Sequence, residues 1–475
     1  MRDKDLYAKI LGIEAPWFVR EVDLQLPKGE VYVYLEFKPR GSLTCPLCDQ
    51  QAPGYDSRER RWRHLDTCQY RTIIVADVPR VQCEEHGVHQ IAVPWSEPGS
   101  RFTALFEALA IDWLREASLS AVGRLLGLTW DEVDGIMSRA VRRGLERRDQ
   151  ANPERIGIDE TSFQKRHEYV TVVSDHDTSD VLYVSDDRTQ ESLVNFYKTL
   201  NIEQLYRIES VAMDMWPAYM NATRAYVPDA EKKIAFDKFH VAKHLGDAVN
   251  KVRHQEHKIL LSKGKEDLTK TKHLWLMNPE KMDEDRWEEF EPLRNSKLKT
   301  ARAWAIKELA MTLWDYTTRG WARKAWTKCL TWAMRSKLEP IKKVAKMLKK
   351  HLWGILNAIA LKVSNAKSEG INFKIQKLKS QACGYRNRER FRNMIYFHLG
   401  GLDLYPAGLN ESCSGFTVKK SAAANVSQWA FKNVFQVVHF LRSGAGSSPC
   451  RLRILAIVVG ATLWPRFFNA SWILS

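Results

Sequence analysis

Two groups of residues in this sequence have types and spacings suited to metal chemistry. The first is cysteine-based. Cys45-Pro46-Leu47-Cys48 is a CxxC pair, a tight turn that lets two thiolates converge on one ion. After 34 intervening residues, Cys83-Glu84-Glu85-His86 offers a thiolate and an imidazole at the same spacing. Cys45, Cys48, Cys83 and His86 together make a closed set for one structural Zn²⁺. Cys68 and His89 are alternative fourth ligands, and reduced cysteines packed in a small core are the metal-free reading. Arg58, Arg60, Arg61 and Arg63 lie between the pairs, placed either to touch phosphate or to form a solvated turn.

The second group is acidic. Asp159 follows the apolar Ile156-Gly157-Ile158, and Asp214 follows Val211-Ala212-Met213. Glu369 lies in the stretch Ser364 to Asn372, with Asn372 about one helical turn on and facing the same way. Carboxylates with water suit Mg²⁺. A pair of such ions ~4 Å apart activates an attacking oxygen and stabilises a leaving one in phosphoryl transfer. Any one of these acids, taken alone, reads as a solvated surface carboxylate. Glu160 competes with Asp159, but strand alternation sends the two to opposite faces. Asp237 and His240 border the site, either as supporting or DNA-contacting groups or, for Asp237, as a helix N-cap.

The elements that would carry these residues follow from the pattern. Residues 17–100 read as short strands and turns, for example Val31 to Leu35 and Arg71 to Val75. From 155 the order is strand, strand, strand, helix, strand, helix, strand, long helix. In a ribonuclease-H-like sheet of that order the first and fourth strands are neighbours, which brings Asp159 and Asp214 to adjacent strand ends. Residues 251–360 carry only helical signals and eight of the 17 tryptophans. Beyond Glu369 the helix is basic, with Lys374, Lys377, Arg386 and Arg388 as DNA-backbone candidates. The expected divisions are 1–100, a zinc-ribbon-like β module; 101–150, helix-turn-helix; 151–250, α/β core; 251–360, an all-α insertion; 361–405, the glutamate-bearing basic helix; and 406–475, an atypical tail. That tail has no acid after Glu411.

Between 101 and 150, Leu119, Val122, Leu125 and Leu126 recur at helical spacing. Gly127-Leu128-Thr129 breaks the pattern, and Val133, Ile136, Met137, Ala140 and Val141 form a second stripe. Helix, short glycine turn, helix is a helix-turn-helix pattern, with an ordinary helical hairpin as the alternative. Arg139, Arg142 and Arg143 are its DNA-contact candidates, although Asp131, Glu132 and Asp134 occupy the first turn, where base-reading groups usually sit.

Composition narrows the setting. The chain of 475 residues is 44% hydrophobic and 27% charged, so it is globular and of several domains. Lys and Arg number 73 against 57 acids, a net charge of +16, which points to a polyanion or an anionic surface. The longest apolar run, Ile454 to Trp464, is shorter than the ~20 residues of a spanning helix. The first residues carry no secretory core. The expectation is a cytoplasmic protein with no membrane association, in which the eight cysteines are not a disulfide framework.

The zinc pairs, the helix-turn-helix and four further motifs share a resemblance. These are Ile156-Gly157-Ile158-Asp159-Glu160, Met213-Asp214-Met215-Trp216, Phe236-Asp237-Lys238-Phe239-His240 and Ser368-Glu369-Gly370-Ile371-Asn372. With Gly384-Tyr385-Arg386-Asn387 and Phe391-Arg392-Asn393, the sequence from about 40 to 405 resembles the ISL-three family of bacterial insertion-sequence transposases. The resemblance implies Asp159, Asp214 and Glu369 as a DDE triad with two Mg²⁺ ions on a ribonuclease-H-like fold. It also implies double-stranded DNA partners, terminal inverted repeats and target, and a homo-oligomer in the synaptic complex at the bacterial nucleoid. The 155 positions between Asp214 and Glu369 fit an all-helical insertion. Two departures stand out: His86 replaces a usual cysteine, and the tail after about Pro406 is unlike the family. The competing readings are a non-catalytic zinc and helix-turn-helix regulator, which binds DNA without metal-dependent cutting, and a nuclease that cuts without joining.

Overall fold

The structure, a computed structural model, describes residues 3–38, 42–148, 152–164, 168–363 and 366–407. The atypical tail lies outside them from 408 onward, as do Ser364 and Asn365.

The N-terminal part is α1 (Asp3–Ile10) followed by β1 (Trp17–Gln25), β2 (Glu30–Phe37), β3 (Gly54–Arg63), β4 (Arg71–Cys83) and β5 (Gly87–Gln90). The strands form one sheet in the order β1-β2-β4-β3, with β5 paired to β4. Alternation in β2 sends Val31, Val33 and Leu35 inward. They pack with Trp17, Trp62, Ile74 and Trp95 in a core of their own.

Three helices follow: α2 (Ala104–Glu116), α3 (Leu119–Leu126) and α4 (Trp130–Arg147). Gly127 closes α3 in the left-handed region at φ 65°, which a glycine adopts without strain. Thr129 and Glu132 then make a capping box at the head of α4. Of the first-turn acids that sit awkwardly for DNA reading, Glu132 therefore has a local reason: it starts the helix.

The second sheet takes the order β10-β9-β6-β7-β8. It comprises β6 (Arg155–Gln164), β7 (Glu168–Asp175), β8 (Val181–Ser185), β9 (Ser210–Met213) and β10 (Ile234–Phe236). β6, β7 and β8 are an antiparallel meander, while β9 and β10 run parallel to β6. The connections are α5 (Gln190–Lys198), α6 (Ile202–Arg207), α7 (Pro217–Tyr226) and α8 (Ala230–Lys233). Asp159 was expected to end its strand; β6 instead continues to Gln164, and only its parallel pairing with β9 stops, at Gly157.

After β10 the described chain is helical: α9 (Lys238–Leu261), α10 (Lys272–Leu276), α11 (Glu284–Arg294), α12 (Lys299–Thr312), α13 (Arg319–Arg335), α14 (Glu339–Lys350), α15 (Leu352–Ala360), α16 (Ala366–Gln381) and α17 (Arg388–Leu399). The helices α9 to α15 bury Trp275, Trp326 and Phe290 in a core continuous with one face of the second sheet. The other face packs with α2, α4, α16 and α17. Among the described residues no helix is long and apolar enough to cross a membrane.

Candidate active site and metal centre

The two parallel strand pairs fix the acidic residues by register. Gly157 pairs with Ala212, so the next two positions set Asp159 beside Asp214. Met213 pairs with Phe236, so Asp214 is followed by Asp237 on the next strand. Neighbouring strands are ~4.8 Å apart and parallel partners share a face. Three acids therefore form a row where the parallel strands end. Sequence reasoning placed Asp159 and Asp214 together and left Asp237 at the border; its register puts it in the row.

Each acid is held by specific donors. Asp159 accepts from the Glu160 amide at 2.8 Å and from Asn372 Nδ2 at 2.8 Å. Asp214 accepts from the Met215 amide at 2.6 Å, and His240 Nδ1 stands 3.6 Å from its other oxygen. Asp237 caps α9 through the Phe239 amide at 3.2 Å. Burial drives the Asp159 carboxyl up to about 6; the Glu160 amide and His240 oppose this, and the charges of Asp237 and Asp214 add to it. Glu369 is also raised, by desolvation first and then by Asp237. Crowded carboxylates that resist ionising together are what a divalent cation relieves.

Asp159, Asp214, His240 and Glu160 line one cavity of about 230 Å³ with Arg188, Tyr219 and Lys243. Glu160 points to the far side of β6, toward Tyr219 and an ion pair with Arg188, whose guanidinium lies 4.2 Å over the Trp216 ring. Glu369 is exposed on α16, outside that lining but within the electrostatic reach of Asp237 and His240. Asn372 Oδ1 is buried with no hydrogen-bond partner among the described residues, one more oxygen left available beside the acids.

A polar ladder holds α16 against β6. Ser368 Oγ bonds His176 Nε2 at 2.8 Å over Gly157. Asn372 reaches Asp159, Gln376 Nε2 donates to Thr161 Oγ1 at 2.7 Å, and Lys379 donates to the Ser162 carbonyl at 2.7 Å. Four helical residues rise ~6 Å and two strand residues ~6.6 Å, so the Ser368, Asn372 and Gln376 rungs meet every second residue of β6, at Gly157, Asp159 and Thr161, and Lys379 closes the ladder on the next residue's carbonyl. This spacing sets the turn of α16 that carries Glu369. His176 is buried and its imidazole is lowered to about 4, chiefly by burial, so it bonds as the neutral ring. Sequence reasoning missed His176. The available signal was a glycine inside an apolar strand, a mark of close approach by another group.

A Cβ at position 157 would collide with both His176 and Ser368. Gly157→Ala is expected to cost about 1–3 kcal/mol, as overpacking does, and to lower DNA cutting while DNA binding holds. Melting and cutting both equal to wild type would contradict the ladder.

The cysteine pairs come together. One ligand atom from each of Cys45, Cys48, Cys83 and His86 lies within 4.8 Å of all the others, and no second such group occurs among the described residues. Cys48 Sγ and Cys83 Sγ are 3.8 Å apart, about the separation that ~2.3 Å Zn–S bonds give in a tetrahedron. The Leu47 amide is the main influence lowering the Cys45 thiol, and His86 the main one lowering Cys83. Both favour the thiolates a metal needs. His89 instead bonds the His86 carbonyl at 2.7 Å, and Cys68 is exposed and outside the group. The set fits zinc.

The expected DNA contacts divide. Arg143 is buried and Arg139 half-buried. Buried Glu107 takes Arg139 at 2.6 Å and Arg143 at 3.0 Å, and Arg143 also holds Glu97 at 2.6 Å and the Leu404 carbonyl. A buried carboxylate demands a cation, which outweighs phosphate binding at these two positions. Arg388 is likewise engaged, by Glu168 at 3.3 Å and the Asp186 carbonyl. Arg390 lies over the Trp130 ring at 4.4 Å and pairs with Asp134 at 3.0 Å, so α17 covers the first turn of α4. Arg142, Lys374, Lys377 and Arg386 are exposed, as are Arg58, Arg60 and Arg61 on the edge strand β3.

Three family profiles match parts of this chain. Residues 156–395 match a family profile described as transposase. Residues 91–141 match the helix-turn-helix domain of transposase family ISL3. Residues 42–86 match the zinc-finger of transposase IS204/IS1001/IS1096/IS1165. The chain is similar to the transposase for insertion sequence element IS1001 of Bordetella parapertussis, 28% identical over 371 residues, 77% of this chain and 90% of that protein. It is also similar to the transposase for insertion sequence element IS1557 of Mycobacterium tuberculosis, 26% identical over 433 residues, 84% and 96% of the two.

Proposed function

Because the chain belongs to the ISL3 family of transposases, we propose that it cuts the ends of its insertion sequence and joins them to target DNA through a DDE site formed by Asp159, Asp214 and Glu369. The observation that carries this reading is the register of Asp159 and Asp214 on adjacent parallel strands, with the Glu369 helix laddered across the same face. The sheet order, an antiparallel meander extended by two parallel strands, supports a ribonuclease-H-like core, and α9 to α15 then constitute an all-α insertion before the Glu369 helix.

Two Mg²⁺ ions bound there would supply Lewis-acid activation of the attacking oxygen and charge neutralisation at the leaving one. The residues have distinct tasks. Asn372 fixes the Asp159 carboxylate, the Met215 amide and His240 orient Asp214, and the α16 ladder sets Glu369. In cutting, a water oxygen bonds to phosphorus and the 3′ oxygen leaves as a hydroxyl. In joining, that 3′-hydroxyl attacks a target phosphodiester and displaces the target's 3′ oxygen. One phosphodiester replaces another, so no nucleotide energy source is needed. Zinc on Cys45, Cys48, Cys83 and His86 braces the N-terminal module, and the helix-turn-helix region contributes to binding terminal repeats in a synaptic homo-oligomer at the nucleoid in the cytoplasm. A regulator without catalysis would leave the row of crowded, half-buried to buried acids with no role.

The test is direct. The full-length chain is incubated with Mg²⁺, duplexes ending in the terminal repeats of its own element, and a target plasmid. Joined products with a free 3′-hydroxyl intermediate are expected. Cutting without joining would favour a nuclease, and binding with neither would favour the regulator.

A further inference from the structure

Of the arginines that sequence alone nominated for DNA on α4 and α17, Arg139 and Arg143 are held by Glu107 and Arg388 by Glu168, and their neighbours Arg390 and Arg392 are held by Asp134 and Asp186. Lys374, Lys377 and Arg386 stay exposed around the end of α16, and a second group of open cations lies elsewhere. Lys343, Lys346 and Lys350 are exposed on α14 at i, i+3 and i+7, one face of a helix. Lys243 and Lys251 are exposed on α9. None of the five makes an ion pair or hydrogen bond among the described residues.

The two helices pack side by side, and a groove of about 280 Å³ between them is lined by His244, Asp247, Lys251, Gln255, Glu339 and Lys343. His244 also lines the carboxylate cavity, as does Lys243, so groove and cavity meet at one residue. The far end of α14 returns to the acids as well. His351, next after Lys350, packs edge-on against Phe236 at 5.5 Å, and Phe236 immediately precedes Asp237. Of the two acids in the groove, Glu339 is paired with Lys342 at 2.6 Å.

The geometry points to the α9–α14 groove as a track for the phosphodiester backbone of duplex DNA running into the carboxylate cleft. This rests on the transposase site proposed above and extends it to a surface within the helical segment. Lys343 to Lys350 spans roughly 10 Å of helix, over which a duplex presents about six charges. Flexible lysines suit a backbone that must be gripped without base reading. The same chemistry serves a transposon end or a target duplex.

The experiment is a triple substitution, Lys343→Gln, Lys346→Gln and Lys350→Gln, in the full-length chain. All three side chains are exposed, and melting checks the fold. Binding to a terminal-repeat duplex and to an unrelated duplex is measured across salt, together with end cutting and joining. The slope of log K against log salt is expected to fall by about 2–3, at about 0.9 for each phosphate no longer neutralised, for at least one of the duplexes. Weaker binding to the terminal-repeat duplex with reduced cutting assigns the track to the transposon end. Weaker binding to the unrelated duplex, with cutting kept and joining reduced, assigns it to target. Unchanged slopes on both, with wild-type cutting and joining, would overturn the track and leave the triad standing. Failure of the wild-type chain to cut would instead overturn the underlying transposase reading.

Discussion

Asp159→Asn is expected to fold, to bind terminal-repeat DNA as the wild type does, and to leave it uncut. The side chain keeps its size and its one oxygen can still accept from the Glu160 amide; the bond from Asn372 to the other oxygen is lost, but the Ser368, Gln376 and Lys379 rungs hold α16 in place. What disappears is one negative charge from the row shared with Asp214 and Asp237. The expected loss is on the order of 10³-fold or more, the scale of removing a preorganised charge-stabilising group. Stability should move the other way. Burial holds the Asp159 carboxyl at about 6 against an ordinary 3.8, so the folded wild type resists ionising it. That penalty is absent below the ordinary value, grows as pH rises from about 4 to 6, and is fully present at neutral pH, where it amounts to roughly 3 kcal/mol. Without divalent ions the variant should melt above wild type at pH 7, and the two should converge toward pH 4. Mg²⁺-dependent cutting by the variant at more than a tenth of the wild-type rate would refute the assignment.

Removing zinc should undo the N-terminal module. Cys45 and Cys83 are buried, and Cys83 ends β4, the strand that pairs with β2, β3 and β5. The cysteine turn is tied by the Cys45 amide to the Gln50 carbonyl at 2.8 Å. Zinc on such a set contributes on the order of 10–16 kcal/mol in small zinc modules at neutral pH, more than the net stability of a typical domain. A strong chelator, or Cys83→Ser, is therefore expected to release one zinc per chain and to abolish the protease resistance of residues 42–90, while the core with Asp159 and Asp214 stays folded. A purified chain with no bound zinc and an intact N-terminal module would contradict this.

Some of this was legible in the sequence because it depends on local rules. Two CxxX pairs need only a turn each, and their convergence follows from the sheet that joins them. The strand and helix order from 155 to 240 was readable from alternation and turn residues, and it put Asp159 beside Asp214 through topology alone. Other features were hidden because they depend on partners far along the chain. Arg139 and Arg143 sit on what looks like the polar side of α4, yet buried Glu107, more than thirty residues earlier, claims both. Asp237 looked like a helix cap, which it is; its place in the acid row comes from strand register, which one sequence does not give. The His176–Ser368 rung joins residues 192 positions apart, and only the glycine beneath it left a trace. The lysine track was overlooked because a charged helix face normally means solvent.

Asp159, Asp214 and Glu369 are proposed to bind metal as one set. Mn²⁺ binding, followed by electron paramagnetic resonance on the full-length chain with a terminal-repeat duplex, tests it without relying on turnover. Wild type should take up two closely coupled ions, and Asp159→Asn, Asp214→Asn and Glu369→Gln should each lose at least one of them. Equal, coupled uptake by all four proteins would contradict the claim.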